Sequence, residues 1–276
     1  MTRGVIFGKF MPPTMGHKSM IDAARRQVDR LFVFVGDVYE DDLVPRRLRA
    51  EWLQMHYGDA VQVVAPSQDA LTEEISSDDL LKRWQALVLE VIGGPPDRLF
   101  GSEAYLAHIA ASFGAEFILV DERRGAVPIS ATQIRADPIG HWDMILPEAR
   151  GSFRREVIVV AQPGQEPPLG EGIDIRDLRD PARPGATRNA SGPPNKLLIT
   201  LVRPDQVAAM RARADSATDR EWRWFAGPVP VVALQPVRTG IATPSATTAG
   251  VEILSPDAFA AFIRQQLGAS PLPCAD

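Results

Sequence analysis

Short apolar runs alternate with amphipathic segments along residues 5–120, and this alternation constrains the fold more than any other feature. Val5-Ile6-Phe7, Leu31-Phe32-Val33-Phe34-Val35, Val61-Gln62-Val63-Val64, Arg98-Leu99-Phe100 and Phe117-Ile118-Leu119-Val120 read as strands. Between them, Met20, Ile21, Ala24 and Val28, then Leu48, Trp52 and Leu53, then Leu80, Leu81, Trp84, Leu87, Val88 and Val91 recur at helical spacing. An apolar run with no polar alternation fits a strand covered on both faces, which calls for a parallel sheet with helical crossovers. The pattern predicts a doubly wound parallel α/β sheet with its ligand at the carboxyl ends of the strands.

The first crossover carries the most informative stretch, Gly8-Lys9-Phe10-Met11-Pro12-Pro13-Thr14-Met15-Gly16-His17. It reads as strand, glycine-containing loop and helix start, where unpaired N–H groups face an anion. Gly8 and Gly16 permit close approach of backbone to a ligand. Lys9 adds a mobile positive charge, His17 a donor that can be cationic, and Thr14 a hydroxyl for a second phosphate. An ordinary surface turn with His17 as a capping residue accounts for the same letters.

This segment resembles the T/H-x-G-H signature of the nucleotidyltransferase superfamily. Its longer form, G-K-F-M-P followed by G-H, is similar to the nicotinamide mononucleotide adenylyltransferase domain of bifunctional NAD-biosynthesis proteins. Ile129-Ser130-Ala131-Thr132-Gln133-Ile134-Arg135 resembles the I-S-x-T-x-x-R signature of the same superfamily. The resemblance covers residues 4–160 and implies a Rossmann-like nucleotidyltransferase fold. It also implies charge stabilisation by His17, Lys9 and Arg135, and nucleotide or acceptor contacts from Gly8, Phe10, Thr14, Gly16, Asp37, Trp84, Ser130 and Thr132. Asp37 would hold a ribose hydroxyl or a hydrated magnesium ion, or serve a plain turn. Trp84 would stack on a nicotinamide ring or pack against the sheet. Ser130 or Thr132 caps a helix from whose first turn Arg135 reaches phosphate, and Ser102 is the natural cap of the helix through Phe113. Arg46, Arg47 and Arg49 resemble the basic start of the corresponding family helix, and solvation is their ordinary fate.

The chain departs from the pattern twice. Thr14 stands where the nearest family domains have His, as in the sister phosphopantetheine adenylyltransferases, which weakens the choice of acceptor more than that of reaction. Beyond the strand Val157-Ile158-Val159-Val160, the bifunctional relatives carry a Walker A loop of a ribosylnicotinamide kinase. Here Ala161-Gln162-Pro163-Gly164-Gln165-Glu166-Pro167 lacks the G-K-S/T, and no kinase activity is expected.

Three segments are expected: a nucleotidyltransferase domain at 1–160, an irregular Pro/Gly-rich linker at 161–195 with a weak strand at Ile173-Asp174-Ile175, and a small α/β domain at 196–276. In the last, Lys196–Val202, Val229–Leu234 and Val251–Leu254 read as strands, and Pro204–Ala214 and Pro256–Leu267 as helices, the second capped by Ser255. Trp222, Trp224 and Phe225 form a docking surface or a core cluster, and Asp174, Asp177 and Glu252 specify nothing by their spacing. The net charge of -5 gives no reason for a broad nucleic-acid face. Cys274, the sole cysteine, excludes an intrachain disulfide, and no apolar run suggests a secretion signal or membrane span, so a cytoplasmic protein is expected. Of 30 basic residues four are lysines, two of them, Lys9 and Lys18, flanking the loop.

The resemblance implies transfer of AMP from ATP to nicotinamide mononucleotide, with Mg2+ held mainly by ATP phosphates and no resident metal site. Nicotinate mononucleotide, phosphopantetheine or a cytidylyl transfer stay open, as does a non-catalytic nucleotide sensor acting through the C-terminal half. Oligomeric state is open as well, a homo-oligomer included.

Overall fold

The computed structural model describes residues 1–36, 43–66, 77–120, 129–161, 165–167, 173–179, 186–188, 193–210, 223–225, 229–234 and 251–268. The chain divides into two compact units, Met1–Ala136 with Asp143–Ala149, and Asp137–Trp142 with Arg150–Asp276.

The first unit alternates strand and helix: β1 (Arg3–Gly8), α1 (Met15–Arg25), β2 (Arg30–Val35), α2 (Arg46–Tyr57), β3 (Gln62–Val64), α3 (Ser77–Ile92), β4 (Arg98–Gly101), α4 (Leu106–Phe113), β5 (Glu116–Leu119) and α5 (Ala131–Ala136). Its five strands are all parallel, in the order β3-β2-β1-β4-β5. Successive residues of one strand serve opposite cores. Val5, Phe32, Phe34 and Leu99 pack against Val88 and Ile92 of α3 and Leu106 of α4. Ile6, Val33, Val35 and Phe100 pack with Ile21 of α1 and Leu53 and Tyr57 of α2. Burial on both faces is why β2 carries no polar alternation, and the doubly wound sheet expected from the sequence is present. Strand order reverses between β1 and β4, so the crevice of the fold opens where β1 ends at Gly8 and β4 at Gly101.

After α6 (Pro147–Phe153), the second unit contains β6 (Arg155–Val160), β7 (Ile173–Asp177), β8 (Ala186–Arg188), β9 (Leu197–Val202), β10 (Val231–Leu234), β11 (Glu252–Leu254) and α7 (Pro256–Gly268). Its sheet runs β11-β10-β6-β9-β7-β8, parallel except for the antiparallel β7–β8 pair. Phe259 and Ile263 of α7 pack with Val157, Ile199 and Val232 on one face. Ser255 caps α7 as expected, accepting from the Ala258 N–H at 3.3 Å.

The boundary expected at 160 falls elsewhere. β6 pairs with β9 and β10, so it is the centre of the second sheet rather than the last strand of the first domain. The stretch 161–195, expected to be an irregular linker, contributes β7 and β8, because β7 finds a parallel neighbour in β9 over five residue pairs. Two smaller expectations also change. Ser102 does not cap α4, since the chain first turns through 102–105 and the helix begins at Leu106 with Tyr105 at its N-cap and no side-chain cap bond. The helix expected over Pro204–Ala214 opens as a 3-10 turn, Pro204–Gln206, and is helical at 207–210, while 211–214 lies outside the described residues.

Candidate active site

At the end of β1 the chain reverses through Phe10, whose φ of 51° lies in the left-handed region that bulky residues avoid. Gly8 makes room for this reversal, because a Cβ there would come within 2.9 Å of the Phe10 ring. Arg49 of α2 braces it. That side chain is fully buried and donates from Nη1 to the Lys9 carbonyl at 2.5 Å and the Gly36 carbonyl at 3.2 Å, tying together the carboxyl ends of β1 and β2. The solvated fate expected of the three arginines therefore fails for Arg49. Arg46 donates to the Pro66 carbonyl at 2.6 Å, and Arg47 makes an exposed pair with Glu51. Arg49, Trp52 and Leu53 stand at i, i+3, i+4 on the buried face of α2, a spacing that could have identified the inward arginine.

Thr14 and His17 open α1 with a capping box. The Thr14 hydroxyl oxygen accepts from the His17 backbone N–H at 3.2 Å, and His17 Nδ1 accepts from the Thr14 backbone N–H at 3.0 Å. The capping and functional readings of His17 are thus compatible. Met15 and Gly16, the first two helical residues, keep N–H groups with no intrahelical acceptor.

The second motif repeats the device. The Ser130 backbone N–H donates to Gln133 Oε1 at 2.8 Å, and the Gln133 N–H donates to Ser130 Oγ at 3.1 Å, so Ser130 rather than Thr132 is the cap. Arg135 lies in the last turn of the six-residue α5, not the first as expected. A cation is favoured at that end of a helix, so its position there needs no bound anion to explain it. Its Nη1 donates to the Met11 carbonyl at 2.7 Å and its Nη2 to Thr132 Oγ1 at 3.1 Å, which joins the two motifs directly.

These pieces line one cavity of about 650 Å³. Its wall includes Gly8, Lys9, Phe10, Thr14, Gly16 and His17 from the first motif and Ser130, Thr132 and Arg135 from the second. Trp84 of α3 lines it too, edge-on to Phe7 at 5.8 Å and to Phe34 at 6.3 Å, so packing on the sheet and facing the cavity are one arrangement. Gly36 lies under that indole, where a Cβ would approach within 3.3 Å. Asp37 and Trp222 lie outside the described residues. His56 stands apart, with Nδ1 3.0 Å from the Glu148 carboxylate. In the second unit Trp224 stacks on Phe153 at 5.4 Å, which favours packing over docking for that residue.

Lys9 and Arg135 bring positive charge to the wall, and among the described residues lining it Glu103, which the sequence reading did not single out, is the one carboxylate. No group of three or more His, Cys, Asp or Glu among the described residues could hold a metal ion. None of the described helices is long and apolar enough to cross a membrane.

No family model matches the chain. The trifunctional NAD biosynthesis/regulator protein NadR of Escherichia coli strain K12 is 29% identical over 177 residues, which is 58% of this chain and 42% of NadR. NadR of Salmonella typhimurium strain LT2 is 28% identical over 175 residues, 57% of this chain and again 42% of the relative. The match therefore spans less than half the length of these relatives. Crystal structures of NadR protein in complex with NR, and with NAD and AMP-PNP, match with TM-scores of 0.63 and 0.61. Each comparison covers 100% of this chain and 98% of the other at 14% identity, which establishes a shared fold. The chain therefore has a nucleotidyltransferase-type fold, a doubly wound parallel α/β sheet with a second α/β unit. It resembles the nicotinamide mononucleotide adenylyltransferase domain of bifunctional NadR-like proteins.

Proposed function

We propose that the first unit transfers AMP from ATP to nicotinamide mononucleotide, forming NAD and pyrophosphate. The observation that carries this reading is the convergence of Lys9, His17, Arg135 and Trp84 on one cavity. An oxygen of the acceptor phosphate attacks the α-phosphorus. The bond from that phosphorus to the bridging oxygen breaks, and pyrophosphate leaves with the electron pair. A phosphomonoester is already a competent nucleophile near neutral pH, so the protein's task is alignment and charge stabilisation. Lys9 and Arg135 supply positive charge to the triphosphate, His17 a hydrogen-bond donor, and the Met15 and Gly16 N–H groups and Thr132 hydroxyl further donors. Gly8 and Phe10 shape the loop, Thr14 and Ser130 anchor the two helices, and the Trp84 ring offers its π-system to a pyridinium. Asp37 completes the proposed nucleotide-binding set.

Magnesium entering with ATP fits a wall with a single described carboxylate, because this ion keeps phosphate and water ligands rather than requiring a protein cage. Bound in that way it supplies charge neutralisation at the phosphates.

The test is pyrophosphate release from ATP and magnesium with nicotinamide mononucleotide, nicotinate mononucleotide or phosphopantetheine at matched concentrations. Release with the first, lost in His17→Ala, is the expected result. Preference for another acceptor would keep the reaction class and change the substrate. ATP or NAD binding without turnover would favour a nucleotide sensor.

The second unit is proposed to lack riboside kinase activity. Where a phosphate cradle would follow β6, the buried Arg179 donates to the Gln165 carbonyl at 2.8 Å and to Glu166 Oε1 at 3.1 Å, so this stretch presents acceptors to a protein cation. Incubation with nicotinamide riboside and ATP is expected to yield no nicotinamide mononucleotide.

A further inference from the structure

We propose that residues 143–149 form a strap that fixes the loop after β1, and that His56 and Glu148 are positioning residues that pin this strap. Pro12 and Pro13 have no N–H to donate, so the loop is held through its carbonyls by donors from other parts of the first unit. The Lys9 carbonyl accepts from Arg49 and the Met11 carbonyl from Arg135. Next in the alternation, the Pro13 carbonyl accepts from the Leu146 backbone N–H at 2.9 Å. Ile145 pairs with Thr14 in an antiparallel bridge beside it. Leu146 is buried in one cluster with Phe10, Ile21 and Leu53, so its side chain anchors the turn whose amide holds Pro13.

The far end of the strap is the first turn of α6, where an acidic residue is favoured. There Glu148 sets both carboxylate oxygens 3.0 Å from His56 Nδ1. An ionised carboxylate only accepts, so Nδ1 donates. Both side chains are largely buried, and the His56 ring lies edge-on to Tyr57 at 4.8 Å. The pair thereby ties the strap to α2. Thr14 is the N-cap of α1, so the hold of the strap on Pro13 and Thr14 fixes where His17 and the Met15 and Gly16 N–H groups stand. What those groups serve rests on the transferase reading above, whereas the hold on the loop does not.

Two measurements on the full chain test this inference. In hydrogen exchange, the Leu146 amide of Glu148→Ala and of His56→Ala is expected to exchange at least about tenfold faster than in the wild-type chain, while Val33 in the centre of the sheet keeps its rate. Glu148→Gln, which keeps an acceptor for Nδ1, should restore the slow exchange. In pyrophosphate release, each Ala variant is expected to lose about tenfold in kcat with little change in KM for ATP, since the charges of Lys9 and Arg135 remain, and Glu148→Gln should recover most of the loss. An unchanged Leu146 rate in both Ala variants overturns the proposal. Equal acceleration of Leu146 and Val33 overturns it too, because the pair would then stabilise the fold as a whole. So does a wild-type kcat in both Ala variants when the wild-type chain turns over. Should no acceptor release pyrophosphate, the transferase reading fails, and the exchange rates alone decide the strap.

Discussion

Arg49 shows what one residue contributes to the site without lining the cavity. Burying a guanidinium is costly unless hydrogen bonds replace water, and here the bonds go to backbone carbonyls at the loop. Arg49→Met fills similar space but leaves the carbonyls of Lys9 and Gly36 without that donor. The expected loss is about 1–3 kcal/mol for each acceptor left bare, read from the denaturant midpoint. An unchanged midpoint would mean that other donors reach both carbonyls. At this scale much of the site was legible, because Thr14 and His17 stand at capping-box spacing and the Lys9, His17 and Arg135 motifs are local strings. Arg49 was missed because a basic residue is ordinarily solvated, and only the packing of α2 on the sheet turns it inward.

Among elements, the contact between α1 and α2 depends on Tyr57, the last residue of α2. Its hydroxyl donates to the Lys18 carbonyl at 3.3 Å, and burial, reinforced by the Asp22 carboxylate, pushes the phenol well above its ordinary 10.0. The folded chain therefore holds this proton to higher pH than the unfolded chain does. The associated stability is full below pH 10 and is lost as pH rises beyond it. Tyr57→Phe should flatten this alkaline decline, as followed by thermal melts across pH 9 to 11. A decline of equal slope in the variant would assign it to other groups. Element types were legible from periodicity, while their ends were less so. Ser102 has the chemistry of a cap, but the chain turns once more before α4. Arg135 was expected in a first turn because the start of α5 at Ala131 depends on which residue closes the capping box.

At the scale of the whole molecule, a ligand that binds the folded chain alone must stabilise it. ATP at a hundred times its dissociation constant is expected to add about 2.7 kcal/mol, visible as a raised melting temperature. Lys9→Ala combined with Arg135→Ala should abolish that rise at the same ATP concentration, and a rise that persists would place ATP elsewhere. The sequence by itself determined the strand and helix alternation and the two local motifs that line the cavity, since each depends on residues a few positions apart. Tertiary structure alone decided that β6 joins the second sheet, that the stretch after it supplies β7 and β8, and that Arg49 and Arg135 brace one loop. Those bracing bonds span 40 and 124 positions of chain, and no local spacing specifies which distant carbonyl a long side chain will find.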